Sequence, residues 1–187
     1  MSLSILTLPG WNGSGPDHWQ THWEQLHGAQ RVEQHDWDRP LRGDWMMRLE
    51  ESVLAAPGAV VLVAHSLACH LVAAWAAHSR HTARVRGALL VAVPDLAPGG
   101  EPGSHPLHPL PPELHSWQPV VRQRLPFASL VLASSDDPYA SLERAALWAA
   151  DWGSDFEALG PLGHVNAGSG LGAWPQGWAR LQAWLSV

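Results

Sequence analysis

A serine stands where a predicted buried strand meets a predicted helix, a position from which a hydroxyl can act as a nucleophile. It is Ser66, in the segment Ala64-His65-Ser66-Leu67-Ala68, directly after the apolar run Ala59–Ala64. A tight turn there would hold the hydroxyl above the sheet edge, with the next backbone amide aimed at the same spot. The usual pattern is Gly-x-Ser-x-Gly, and alanine, the next smallest residue, replaces both glycines here. On this motif alone two interpretations stay open, a nucleophile or a helix N-cap serine.

An acidic pair follows the apolar run Ser129–Ala133 further along the chain. In folds with a nucleophile turn of this kind, the acid and the histidine come after the serine, each in a loop behind a strand. We favour Asp137 as the acid, because its carboxylate could accept the Nδ1 proton of an imidazole and fix the tautomer. Asp136 is the alternative. A turn or N-cap role explains one of the two aspartates and leaves the other without a structural role.

A histidine in a glycine-bounded loop completes the order serine, acid, histidine. His164 lies in Gly163-His164-Val165-Asn166, beyond the last predicted strand. It would be the general base that takes the Ser66 proton and returns it to the leaving group. The chain has twelve histidines, so a surface role is the alternative for any one of them. Three others precede the acid in a proline-rich segment and fit the order badly: His105, His108 and His115.

An oxyanion hole needs two backbone amides, typically that of the residue after the nucleophile and one from a loop behind an early strand. Leu67 and Trp11 are the candidates. Trp11 follows Pro9-Gly10, and the glycines of Asn12-Gly13-Ser14-Gly15 would let a carbonyl oxygen approach the backbone. A phosphate loop is the alternative for residues 10–15, but the segment has neither a lysine nor the Gly-x-Gly-x-x-Gly spacing.

Twelve tryptophans are far more than a chain of 187 residues usually carries, and most fall on predicted buried helix faces. Trp11 and Trp19 adjoin the proposed oxyanion loop. We therefore expect them to line an apolar pocket for an acyl or aromatic group, with His18 at its rim. His18 and His22 could instead share a metal on one helix face. No third ligand accompanies them, so we predict no metal site and no cofactor.

The elements that must position these residues follow from the hydrophobic pattern. Short apolar runs alternate with segments of helical periodicity, which is typical of a parallel sheet covered by helices on both faces. The predicted strands are Ile5–Leu8, Arg31–His35, Ala59–Ala64, Gly87–Val93, Ser129–Ala133 and Asp155–Leu159. The predicted helices are one capped by Asp17, with Trp19, Trp23 and Leu26 on its buried face, and others over residues 44–56, 67–78, 141–152 and 174–185. The sequence thus predicts an α/β fold with a mostly parallel sheet of about five to six strands.

A proline-rich segment is the one candidate linker. Residues 94–119 hold 8 of the 16 prolines, too many for a long helix or a central strand. We predict a surface loop there with one short helix. Two strands needed to complete the same sheet follow the segment, so we expect a single domain over residues 1–187.

The charge balance and the absence of lysine exclude several classes of protein. Eleven basic residues, all arginine, and seventeen acidic ones give a net charge of −6, the wrong sign for a protein that binds nucleic acid through its phosphates. Without lysine the chain cannot use a Schiff base, a Walker A loop or a Ser/Lys pair. The single Cys69 cannot form an internal disulfide and is expected to be a small buried residue. With no signal-peptide or membrane-spanning pattern, we expect a cytoplasmic protein.

Four segments together resemble the small serine hydrolases of the YdeN and retinoblastoma-binding-protein type. They are Leu8-Pro9-Gly10-Trp11-Asn12-Gly13-Ser14-Gly15-Pro16-Asp17-His18-Trp19-Gln20, Val63-Ala64-His65-Ser66-Leu67, Asp136-Asp137-Pro138-Tyr139, and Gly163-His164-Val165-Asn166 followed by Ser169-Gly170 and Trp174-Pro175. The resemblance spans nearly the whole chain and implies a compact α/β-hydrolase with a shortened sheet and little or no lid. It also carries the triad of that family onto Ser66, Asp137 and His164. Relatives usually have glycine where this chain has Ala68.

We therefore expect a serine hydrolase that cleaves a small carboxylic ester or amide through an acyl-enzyme on Ser66, without a cofactor. A thioester is a further candidate substrate, since the same residues would cleave it. The alternative from another class is a weakly active or inactive binding or regulatory protein on the same fold, which Ala68 and the lack of a clear lid keep open. The expected partner is a small-molecule substrate. Nucleic acid and membranes are not expected, and nothing in the sequence indicates a protein partner.

Overall fold

Six parallel strands form one sheet in the computed structural model, which describes residues 3–97 and 109–186. In chain order they are Leu3–Leu8 (β1), Gln30–Arg31 (β2), Ala59–His65 (β3), Val85–Val91 (β4), Ser129–Ala133 (β5) and Asp155–Ala158 (β6). Their order across the sheet is β2-β1-β3-β4-β5-β6, and every neighbouring pair is parallel. The predicted parallel α/β architecture is confirmed.

The helices cover both faces of this sheet. They are Trp19–His27 (α1), Arg42–Ala55 (α2), Leu67–Ala76 (α3), Leu142–Trp152 (α4) and Pro175–Leu185 (α5). Helices α2, α3 and α4 contribute to the buried cluster on one face, whereas α1 and α5 contribute to the cluster on the other. In the described part of the chain, none of the helices combines the length and the apolar character that crossing a bilayer requires.

The central strands are apolar throughout because both of their faces are buried. In β3, Val60 and Leu62 belong to one buried cluster, while Val61 and Val63 belong to the other. This follows the two-residue alternation of side chains along a strand. Its neighbour β4 is buried except at Arg86. The apolar runs that the sequence shows are therefore the two-sided core of a parallel sheet.

Helix α1 differs from its prediction at both ends. It is capped by His18, whose Nδ1 accepts a hydrogen bond from the Gln20 amide at 3.2 Å, so the prediction of Asp17 as the cap is wrong. Leu26 was expected on the buried face and is 61% exposed. In the last turn it is His27 that meets α5, where its ring stacks on that of Trp178 at 3.8 Å. The second strand is also shorter than predicted, because this edge strand pairs with β1 at only two positions.

The structure describes the proline-rich segment only at its two ends. His105 and His108, two of the histidines weighed against His164, lie outside the described residues. Pro112–Trp117 forms a short 3₁₀ helix, in line with the predicted short helix. The predicted surface placement is wrong for this part. Leu114 and Trp117 are buried against the core, and Trp117 Nε1 donates a hydrogen bond to the Pro40 carbonyl at 2.7 Å.

An ion pair inside the protein ties the loop after β4 to α4. Arg144 Nη2 lies 3.0 Å from Asp95 Oδ1, and both side chains are almost fully buried. The same oxygen accepts a hydrogen bond from the Ala97 amide at 3.0 Å. The Asp95 amide in turn donates to the Tyr139 carbonyl at 2.9 Å. The pair therefore joins the segments that follow β4 and β5, at the edge of the sheet where a candidate site is expected.

We expect Arg144→Met to lower the free energy of unfolding by about 3–5 kcal/mol, because it breaks a buried ion pair by removing one of its two charges. The double variant Asp95→Asn/Arg144→Met removes both charges and should recover part of the loss. As a matched exposed change, Arg48→Met breaks the surface pair with Glu51 and should cost about 1 kcal/mol or less. Urea denaturation measures all three, and equal losses for the two single variants would contradict a special role of the buried pair.

Burial also controls the protonation of a histidine in the core. His70, in α3, is 4% exposed, and its ring packs edge-on against Trp148. Its Nε2 lies 2.9 Å from the Pro94 carbonyl. Desolvation by burial lowers the pKa of His70 to about 4, although the bond to Pro94 acts in the opposite direction. The folded protein therefore holds this ring neutral at neutral pH.

Because an unperturbed histidine has a pKa near 6.5, protons bind the unfolded chain more readily at His70 than they bind the folded protein. The stability that the neutral ring provides is complete above about pH 6.5 and is lost as the pH falls towards 4. The variant His70→Gln cannot take up that proton. Between these two pH values, we therefore expect its free energy of unfolding to fall by about 3 kcal/mol less than that of the wild type. Urea denaturation at both pH values tests this, and parallel losses would contradict it.

Candidate active site

Ser66 lies in the turn between β3 and α3, where its backbone takes an unusual conformation. Its φ is 56° and its ψ is −127°, a region that residues with a side chain rarely adopt. Such a conformation costs on the order of 1–3 kcal/mol and persists only where the surroundings enforce it. The Ser66 side chain makes no cap hydrogen bond to α3. The interpretation of this serine as an ordinary helix cap is therefore wrong.

Three side chains that the sequence singled out meet at the carboxyl edge of the sheet. Ser66 Oγ lies 2.8 Å from His164 Nε2. The other ring nitrogen of His164, Nδ1, lies 2.9 Å from both carboxylate oxygens of Asp137. An ionised carboxylate only accepts hydrogen bonds, so Nδ1 carries the proton and Nε2 is free to accept one from the serine hydroxyl. The parallel sheet makes this meeting possible, because the loops behind β3, β5 and β6 all lie at one edge.

Asp136, the alternative acid, occupies a different place. Its Oδ1 accepts hydrogen bonds from Ser134 Oγ and from the Gly163 amide, each at 2.7 Å. These bonds, with the Ser134 hydroxyl first, lower the pKa of the Asp136 carboxyl. Asp136 therefore anchors the backbone one residue before His164, while its neighbour Asp137 contacts the imidazole itself.

The segment between β6 and α5, which carries His164, contains only one short 3₁₀ turn, so side chains from other elements hold it in place. Besides the bond from the Gly163 amide to Asp136, three more hydrogen bonds do so, to side chains of β3, α1 and the loop after β5. They join His65 Nε2 to the His164 carbonyl (2.9 Å), Trp19 Nε1 to the Val165 carbonyl (2.8 Å) and the Leu162 amide to Ser134 Oγ (2.8 Å). The sequence analysis missed these supporting roles. For His65 the signal was its position directly before the serine.

Trp19 requires a correction as a pocket residue. It is 1% exposed, and its ring packs edge-on against Trp23 at 4.7 Å and Trp174 at 5.1 Å. It is not among the described residues that line the cavity beside Ser66. Its ring is therefore part of the packing between α1 and the start of α5. Its Nε1 donates a hydrogen bond to the loop that carries His164.

A cavity of about 210 Å³ opens beside Ser66 and His164. Trp11 and Leu67, the predicted oxyanion residues, lie on its wall, and so does His18. The other described residues of the wall are Asn12, Gly13, His65, Pro94, Leu96, Leu114, Tyr139 and Asn166. The cavity lies behind the ends of β1 and β3, where the strand order reverses and where open α/β sheets bind their ligands.

The amides of Trp11 and Leu67 are both available for a ligand. Within the described residues, neither amide donates a hydrogen bond to a backbone or side-chain group. Gly10 lets the loop behind β1 come this close to the serine turn. A Cβ at Gly10 would lie 2.8 Å from Ser66 Cβ and 2.9 Å from the His65 carbonyl oxygen, closer than side chains pack. Any larger residue would therefore push the two loops apart.

Two further histidine rings adjoin that of His164. The ring centroids of His18 and His65 are 4.7 Å apart, and those of His65 and His164 are 4.9 Å apart. Desolvation lowers the pKa of His18 to about 4, with a further contribution from Arg31, and burial holds the pKa of His65 well below its usual value. Both rings are therefore neutral at neutral pH. A positive charge that forms here belongs on His164, facing the Asp137 carboxylate.

The chain is similar to several solved structures over nearly its whole length. Among solved structures, a YdeN-like hydrolase from Pectobacterium atrosepticum is 26% identical, with a TM-score of 0.82 over 99% of this chain and 91% of that one. The ydeN gene product of B. subtilis is 18% identical, with a TM-score of 0.73 over 100% of both chains. An esterase from a Rhodococcus species is 16% identical, with a TM-score of 0.68 over 98% of this chain and 90% of that one.

The last two likenesses show the shared α/β-hydrolase fold. A search of curated proteins found no match. A family model described as serine hydrolase matches residues 5–183, which is nearly the whole chain and includes every residue of the site. The resemblance drawn from the four sequence segments is confirmed, and this chain belongs to the serine hydrolase family.

Proposed function

We propose that this hydrolase cleaves small carboxylic esters through an acyl-enzyme on Ser66, with His164 as the general base and acid and Asp137 as the group that orients it. The observation that carries the proposal is the unbroken chain of hydrogen bonds from the Ser66 hydroxyl through the His164 ring to the Asp137 carboxylate, with distances of 2.8 and 2.9 Å. Amides and thioesters are cleaved by the same steps and differ in the leaving group.

The first half of the reaction forms the acyl-enzyme. Ser66 Oγ attacks the ester carbonyl while its proton passes to His164 Nε2, and the imidazolium is stabilised by Asp137. The carbonyl oxygen becomes an oxyanion as the new bond between Oγ and carbon forms. When the tetrahedral intermediate collapses, the bond from carbon to the leaving oxygen breaks, and His164 returns the proton to the departing alcohol. Ser66 is left as an ester of the acid.

The second half repeats these steps with water as the nucleophile. His164 Nε2 takes a proton from the water as its oxygen attacks the acyl carbon, and then gives a proton back to Ser66 Oγ. The free acid leaves, and the hydroxyl is restored. No redox step or group donor is needed at any point.

The oxyanion of both tetrahedral intermediates is expected to lie between the amides of Trp11 and Leu67. Support for this comes from their common cavity and from their lack of other partners within the described residues. Preorganised amides act strongly on a charge that develops in a site sheltered from water, and removing one such donor typically costs about 10²–10³ in kcat. Gly10 has a positioning role, because it keeps the Trp11 loop beside the serine turn.

A fluorophosphonate probe tests the nucleophile. We expect the wild type to be labelled at one residue, and Ser66→Ala to be unlabelled and to lose about 10⁴-fold or more in the turnover of a small ester. The control is Ser52→Ala, which removes a hydroxyl bonded to the Arg48 carbonyl in α2 and should keep full labelling. The mass of the intact protein measures the labelling, and circular dichroism shows whether each variant is folded. A folded wild type that takes no label would instead support the binding or regulatory function.

Asparagine substitutions of the two neighbouring aspartates separate their roles. Asp137→Asn should lower kcat by about 10⁴-fold, because an amide can stabilise the wrong tautomer of His164. Asp136→Asn keeps an oxygen that accepts from Ser134 and from the Gly163 amide, so its kcat should stay within about tenfold of the wild type. Ester turnover at saturating substrate measures both. A larger loss for Asp136→Asn would assign the orienting role to that residue.

A further inference from the structure

The wall of the cavity beside Ser66 is made of apolar and neutral polar groups. Its apolar residues include Trp11, Leu67, Leu96 and Leu114, and its neutral polar residues include Asn12 and Asn166. Among the described residues of this wall there is no arginine, aspartate or glutamate. A charged group that enters beside these described residues loses its water without gaining from them a partner of opposite charge, which is costly.

The two histidines on the wall that could carry a positive charge are held neutral by their hydrogen bonds and their burial. His18 Nδ1 accepts the Gln20 amide proton, and an imidazolium has no free nitrogen with which to accept it. His65 Nε2 donates to the His164 carbonyl, and the residue is 5% exposed. Burial lowers the pKa of both rings. Neither ring is therefore an anion-binding group at neutral pH.

The charge that does form in the cavity is already paired. During the reaction His164 becomes an imidazolium, and the Asp137 carboxylate that faces it compensates for the charge. Because this pair is neutral as a whole, it gives a substrate charge of either sign no net attraction. At longer range, the net charge of −6 acts against a substrate anion.

The size of the cavity limits the part of the substrate that it can enclose. Its volume of about 210 Å³ corresponds to roughly seven water molecules in the liquid. Sites for drug-sized ligands usually measure about 300–1,000 Å³. The enclosed group is therefore compact.

We infer, on the basis of the proposed function, that this cavity selects substrates in which the group that it holds beside the reacting ester is compact and uncharged. Esters or thioesters that carry a carboxylate, a sulfonate or an ammonium group in that place are rejected. The selection acts on kcat/KM, because the loss of hydration without a compensating partner is present in the transition state.

Three thioacetates of one shape test this inference. All have the form acetyl-S-CH₂CH₂-X, where X is tert-butyl, trimethylammonium or sulfonate, so that the acyl group and the bond cleaved are the same and only the charge differs. Because the acetyl group is small, X is the part that the cavity must hold. A reagent that reacts with thiols measures the rate at which the thiol is released. We expect kcat/KM for the tert-butyl compound to exceed that for each charged compound by at least about tenfold.

A second measurement covers the case of slow thioester turnover. Methylphosphonothiolates with the same three leaving groups modify Ser66 directly, and intact mass gives the rate for each. The same order of rates is expected. Equal rates for the three groups, faster reaction of the sulfonate, or faster reaction of the trimethylammonium compound through attraction to the rings of Trp11 and Tyr139 would each overturn the inference.

The two proposals fail in different ways. If the fluorophosphonate labels Ser66 but charged and neutral compounds react alike, the hydrolase mechanism stands and the inference about substrate charge is wrong. If neither the fluorophosphonate nor any of the six compounds reacts with the folded protein, the proposed function fails and the inference fails with it.

Variants at the mouth of the cavity provide an internal check. Tyr139 lines the cavity, is 39% exposed, and its ring packs edge-on against His164 at 4.5 Å. Tyr139→Arg and Tyr139→Glu place opposite charges there, and Tyr139→Gln is the neutral control. We expect the ratio of rates for the sulfonate and trimethylammonium compounds to be about tenfold higher in the arginine variant than in the glutamate variant, at low ionic strength. An unchanged ratio would show that X does not enter this cavity.

Discussion

The proposed mechanism requires the imidazole of His164 to stay within hydrogen-bond distance of two groups from the loops behind different strands, although its own segment has almost no regular structure. A shift of about 1 Å at such a contact is enough to weaken proton transfer strongly. The fold meets this requirement with bonds from its surroundings. Ser134 and Asp136 hold the backbone before the histidine, and His65 holds its carbonyl. Much of what surrounds the site can be understood as support for this one ring.

Backbone strain is concentrated at the same edge of the sheet. Positive φ angles occur at Ser66, at Ala92 just after β4, and at Val165 just after the histidine. A β-branched residue such as valine is especially unfavourable there, yet Val165 is fully buried and its carbonyl accepts the Trp19 indole proton. Such conformations persist where packing over-determines them. The rigid parallel sheet and the tryptophans packed against it provide that packing.

The two aspartates show where sequence reasoning was sufficient and where it was not. The chain order of serine, acid and histidine selected three loops that lie together in the structure, because parallel strands bring the loops behind them to one edge. It could favour Asp137 over Asp136 but could not assign a task to the second acid. That task, a bond to the Gly163 amide, depends on how two loops distant in sequence lie against each other. Trp19 was wrongly predicted to line the cavity for the same reason. Its helical spacing indicates that the residue is buried but not which residues it contacts.

What the sequence determined by itself was the set of strands, most of the helices, the parallel α/β class and the choice of the residues proposed for the chemistry. These follow from local features: apolar runs buried on both faces, helical spacing, and a small residue two positions before and two positions after a serine in a tight turn. Only the tertiary structure decided the cap at His18, the exposure of Leu26 and which of the described residues line the cavity. Each of these depends on contacts between segments that lie far apart along the chain, and a one-dimensional pattern holds no distance between them.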